Sequence, residues 1–109
     1  MKRSTLPTKA QMSFGDAATR RIHDGWLQRG LPSEVQQEVR MLLRLLQNID
    51  DLGQLRGMPR MRLRRRRVLE KFQYALVVSR DWELRFRWHR DAARGVALVE
   101  RRLGRPVAC

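Results

Sequence analysis

The sequence predicts an α+β domain: two N-terminal helices packed on a small antiparallel β-sheet. Three observations carry this. A capped segment near residue 33 repeats apolar residues at helical spacing. Two later segments alternate apolar and polar residues with period two. The chain has 109 residues, of which 42% are hydrophobic, enough for one domain with a single core.

The elements follow in order. Residues 1–11, "MKRSTLPTKAQ", are basic and lack an apolar stretch, so they predict a disordered leader and not a secretory signal. In "FGDAATRRIHDGW", Asp16 is a helix N-cap and Gly25 a stop, which predicts a short first helix. The segment Pro32-Ser33-Glu34-Val35-Gln36 has the S-x-x-Q pattern of a capping box, Ser33 accepting from the N3 amide and Gln36 reaching back. Beyond it Val35, Val39, Leu42, Leu46 and Ile49 share one helical face, which Leu43 and Leu45 widen. Glu34, Glu38, Arg40 and Arg44 lie on the other side.

Downstream, "FQYALVV" places Phe72, Tyr74, Leu76 and Val78 on one side of a strand. Ser79-Arg80-Asp81 is a tight connection. "WELRFRW" sets Trp82, Leu84, Phe86 and Trp88 against Glu83, Arg85 and Arg87. After the polar stretch "HRDAARG", "VALVE" predicts a third short strand. The helices would cover one face of this meander, and the other would display Arg85 and Arg87 beside the run Arg62–Arg67. Trp82, Phe86, Trp88 and Tyr74 are expected in the core, not as stacking platforms for bases. The domain is expected to span residues 12–103, leaving 104–109 as a short tail.

The formal net charge is +13, and it is lopsided. Residues 1–54 carry 8 Lys+Arg against 6 Asp+Glu, net +2, whereas residues 55–109 carry 16 against 5, net +11. So concentrated an excess favours a polyanionic partner such as nucleic acid over simple solubility. A solvated sheet edge is the competing reading for the arginine run. The single cysteine, Cys109, allows no intramolecular disulfide, which suits a reducing cytoplasm. No apolar run reaches membrane-spanning length. No zinc-site spacing, phosphate-cradling glycine loop or nucleophile triad is present, so no metal or cofactor is expected.

The order of these segments resembles the HigB branch of the RelE-like toxins of bacterial toxin–antitoxin modules. The residues that carry the likeness are the "SF" start, the helix opening "LPSEVQQEVRMLLRLLQNIDDL", the P-x-x-R-L turn ending at Arg62-Leu63, and "WELRFRW" after "RD". The resemblance spans residues 12–102 and implies a RelE-like fold. It implies a ribosome-dependent endoribonuclease that cuts mRNA in the A site without a metal, and a helix-turn-helix antitoxin of the HigA type as partner.

The family's Gly-Asp-Arg element corresponds here to Val68-Leu69-Glu70, and its strand opening Trp-Arg to Trp82-Glu83. Its final Asp-Tyr-His falls on Glu100, Arg101 and Arg102, and its His or Lys positions near the turn fall on Arg64 and Arg67.

Metal-free RNA cleavage needs a base for the 2′-OH, cations on the phosphate and an acid for the leaving oxygen. Arginine grips phosphate bidentately but keeps its proton. Candidate phosphate-binding residues are therefore Arg62, Arg64, Arg65, Arg67, Arg85 and Arg87. The candidate catalytic residues are Glu100, Arg101 and Arg102, with Glu100 the base. His23 and His89 are expected to be ordinary residues. Two further readings remain: a non-enzymatic RNA- or ribosome-binding relative, and a DNA-binding regulator. The last is weakest because no helix-turn-helix pair is visible.

Overall fold

The computed structural model describes residues 12–58, 62–68 and 71–106. The leader 1–11, the turn residues 59–61, the pair Leu69-Glu70 and the end 107–109 with Cys109 lie outside the described residues. Three helices precede a four-stranded antiparallel sheet: α1 (Ala17–His23), α2 (Ser33–Asn48), α3 (Gly53–Arg56), β1 (Leu63–Val68), β2 (Lys71–Val77), β3 (Trp82–His89) and β4 (Ala92–Glu100). The strands pair in chain order, as a meander.

α1 starts where the sequence places it. The Asp16 carboxylate accepts from the Thr19 amide at 2.8 Å, and Gly25 takes a φ of +99° after the helix. α2 buries Val39, Leu42, Leu43 and Leu46. Its start corrects the capping-box expectation. The N-cap is Pro32, with no side-chain cap bond, and Ser33 is the first helical residue. Gln36 is buried and does another job. Its Oε1 accepts from the Gln28 amide at 2.8 Å, and its Nε2 donates to the carbonyls of Gln28 and Leu31, both at 2.9 Å. Satisfying a buried loop backbone outweighs capping a helix end that water can reach. Arg40 on the same helix donates to the carbonyls of Ile22 and Trp26 and so closes the end of α1.

The sheet has one strand more than the sequence suggests, because the arginine run is itself β1, paired with β2 from Leu63↔Leu76 to Val68↔Lys71. The polar stretch "HRDAARG" also shrinks to a two-residue turn. His89 pairs with Ala92, Arg90 takes a φ of +59°, and β4 begins at Ala92. Residues 104–106, expected in the tail, hydrogen-bond back onto β4: Glu100 donates to the Arg105 carbonyl, and Val99 bridges Pro106.

Across the sheet Leu63, Leu76, Leu84 and Leu98 stand in one register row, the last three fully buried. They meet Ala18, Ile22, Leu42, Leu43 and Leu46 from the helices in a single core, on which Tyr74, Trp82 and Trp88 also pack. Tyr74 stacks on the buried Phe86 with ring centroids 5.9 Å apart. Phe86 is core and Tyr74, Trp82 and Trp88 pack half-buried against it, as expected from their alternation, whereas Phe72 on the same side of β2 is exposed. α1 and α2 pack on each other and on β4, and Thr19 Oγ1 accepts from the Leu98 amide at 2.8 Å.

Candidate nucleic-acid interface

The register that builds the leucine row builds its complement on the opposite face. One residue along, Arg64 pairs with Ala75, Ala75 with Arg85, and Arg85 with Ala97. The next row is Val77, Glu83 and Val99. The small, fully buried Ala75 of β2 separates two arginines on the strands either side of it, β1 and β3, and leaves both room to bend toward Glu83.

Glu83 is where they meet. Its side chain has no exposed surface, and it lies within a strand whose alternation puts it opposite the core. Arg64 Nη2 donates to Oε1 at 2.6 Å, and Arg85 Nε donates to Oε2 at 2.7 Å. Arg101 Nε adds a third cation 3.6 Å from Oε1. Burial alone would raise the Glu83 pKa. The hydrogen bonds from Arg85 and Arg64, with their charges, outweigh burial and hold the carboxyl below its ordinary value. A buried carboxylate with two short charged bonds is a satisfied group that fixes its partners.

The turn after β4 completes the surroundings. Arg101 donates its amide to the Asp81 carbonyl at 2.8 Å and its Nη1 to the Arg80 carbonyl at 3.2 Å, which ties this turn to the β2–β3 connection. Gly104, at φ +65°, donates to the Glu100 carbonyl at 2.7 Å. A Cβ there would lie 3.1 Å from Arg85 Nη1, so the missing side chain lets the backbone turn close against the guanidinium. Arg64, Arg85, Arg101, Arg102, Leu103 and Gly104 line an open cavity of about 410 Å³. Four guanidiniums therefore surround one space, with a single carboxylate beneath three of them.

The structure gathers some of the residues singled out in the sequence and separates others. Arg64, Arg85, Arg101 and Arg102 come together. Arg62 and Arg87 are exposed and do not line the cavity; Arg87 lies beyond a bulge, paired with Arg94. The arginine run does not all join Arg85 and Arg87, because strand alternation divides it. Arg65 pairs with Tyr74, which pairs with Phe86, so Arg65 and Arg67 belong to the helix-covered side. Both are exposed at the edge strand, and the Arg65 guanidinium lies 4.6 Å from the Phe72 ring centroid. Glu100 pairs with Trp82, shares the core-facing parity of the Leu84–Leu98 row, and does not line the cavity.

Sequence reasoning passed over Glu83, Ala75 and Gly104. The available signal was an acidic residue inside an arginine-bearing strand, two positions from Arg85 on the same face. No family model and no curated protein matches this chain.

Proposed function

We propose that this chain is a RelE-like protein of the HigB branch, the toxin component of a type II toxin–antitoxin module acting in the cytoplasm on ribosome-bound mRNA. The observation that carries the reading is the convergence of Arg64, Arg85, Arg101 and Arg102 on one cavity of the sheet's outer face. Planar forks on a rigid sheet suit the oxygens of a phosphodiester, and the +11 excess of the second half would draw RNA toward it. Among the described residues no helix is long and apolar enough to cross a membrane. The partner under this reading is a helix-turn-helix antitoxin of the HigA type, which would neutralise the toxin and repress its operon.

A second reading is favoured by one feature of the same cavity. Its four ionisable lining residues are arginines, which do not exchange protons near neutral pH, and Glu100 lies on the other side of β4's register. A non-enzymatic RNA- or ribosome-binding protein would need only the grip. Inducible expression in bacteria with mapping of mRNA 5′ ends separates the two. Growth arrest with cuts inside translated codons supports the endoribonuclease. Arrest or ribosome binding without cuts supports the binding module, and neither arrest nor ribosome association would sink both.

A further inference from the structure

We propose that Glu83 is a positioning residue of the RNA site: a buried anchor that sets the planes of the Arg64 and Arg85 guanidiniums for phosphate. The proposal rests on the reading of the cavity as an RNA site and deepens it.

Several features of the geometry single out Glu83. Its side chain is wholly buried, whereas those of Arg64, Arg85 and Arg101 retain 51%, 19% and 29% of their surface. The carboxylate therefore cannot contact a ligand in the cavity, but the arginines can. Arg85 spends its Nε–H on Glu83 and Arg64 one of its Nη donors, and each guanidinium has five N–H groups in a fixed fork. An arginine free at its tip would give up rotamer freedom on gripping a phosphate. One already held from beneath has lost that freedom on folding. None of the cavity-lining residues is aromatic, so the cavity offers charged forks and no aromatic platform for a base. The ligand class is the phosphodiester backbone, read without regard to sequence.

Positioning and plain electrostatics make opposite forecasts for one substitution. Glu83→Gln removes a negative charge and raises the formal net charge by one above +13. If Glu83 merely neutralised the site, RNA would then bind more tightly. If it positions the arginines, binding weakens despite the added charge, by about tenfold, the worth of one lost charged hydrogen bond. The experiment measures binding of a single-stranded oligouridylate to the parent, Glu83→Gln and a surface control, Arg44→Ala, with folding checked by tryptophan fluorescence. Weaker binding by folded Glu83→Gln supports the role, and equal or tighter binding overturns it.

A second measurement uses the parent alone and so does not depend on the folding of Glu83→Gln. The Arg85 Nε–H resonance is followed by NMR as the oligouridylate is added. A resonance that keeps its position and slow exchange means the anchor stays in place while the outward N–H groups take the phosphate. Loss of that signal on binding means Glu83 is a counter-ion displaced by RNA, and the role falls. A parent that does not bind the oligouridylate at all overturns the RNA reading itself, an outcome distinct from either.

Discussion

Arg64 of β1 and Glu83 of β3 meet at 2.6 Å although a whole strand lies between them, because the residue beside Arg64 on the intervening strand is Ala75. The floor of the cavity thus depends on the smallness of a residue with no charge or polar group. A larger side chain would have to occupy the space through which both arginines bend. Ala75→Leu is expected to cost about 1–3 kcal/mol through overpacking and to weaken RNA binding as well. Chemical denaturation and an RNA titration on the same variant check it; parental values in both would show that the arginines reach Glu83 by another route.

Glu83 also predicts an acid limb in stability. Its folded pKa is lowered below the ordinary 4.5, so its contribution is fully present above that value. The contribution is lost as pH falls from about 4.5 through the folded pKa, since the unfolded chain takes up the proton first. Urea unfolding at a series of acidic pH values should show stability falling in that window. The slope should shrink in Glu83→Gln, and an equally steep limb in that variant would assign the acid loss to other carboxylates.

Salt dependence should separate the cavity from the helix-covered side of the edge strand. Arg102 lines the cavity, whereas Arg67 stands on the helix-covered side of the edge strand. Arg102→Ala is expected to lower the log–log salt slope of RNA binding by about one, and Arg67→Ala to leave it near the parent value. Equal effects would mean that RNA follows the edge strand and not the cavity.

Cleavage, if present, puts Glu100 to the test. Should Glu100 be the base, Glu100→Gln abolishes cutting, a loss of about 10²-fold or more, while binding persists. Arg102→His gives the cavity a group that exchanges protons near neutral pH. Toxicity gained by that variant from a silent parent would identify a chain that keeps the grip and lacks the proton chemistry. Mapped 5′ ends for the parent and both variants decide the matter, and cutting that survives Glu100→Gln rules Glu100 out as the base.

The helices were legible because their signals are local. Asp16 caps the residues beside it, and Val39, Leu42 and Leu46 repeat with the helix itself. The alternation from Trp82 to Trp88 likewise announced a two-faced strand. Consecutive arginines announce nothing, since they lack alternation; β1 is a strand because Phe72–Leu76 offers it a backbone ladder. Gln36 looked like half of a capping box, but its partners, Gln28 and Leu31, lie in a loop whose burial only the fold creates. The cavity was half visible. Arg64 and Arg85 were singled out as phosphate-binding and Arg101 and Arg102 as catalytic candidates, but their convergence on one cavity, and the meeting of Arg64, Arg85 and Arg101 at Glu83, depend on strand order and register, which span three strands and a turn.

Ser13–Gly15 form a strap along β4: Ser13 donates to the Ala93 carbonyl and Gly15 to that of Val96, and the Val96 amide donates to Ser13. At Gly15 a Cβ would come within 2.8 Å of the Gly95 carbonyl oxygen. The Ser13–Gly95 contact closes a separation of 82 residues, whereas every strand pairing in the meander joins neighbours in the chain. Closing so long a loop costs entropy that local hairpins do not incur, so the hairpins are expected to form in the folding transition state and the strap after it. Gly15→Ala should then speed unfolding and leave the folding rate nearly unchanged, a low φ-value in stopped-flow chevrons. A slowed folding arm would instead put the strap in the nucleus and make the N-terminal segment the organiser of the sheet.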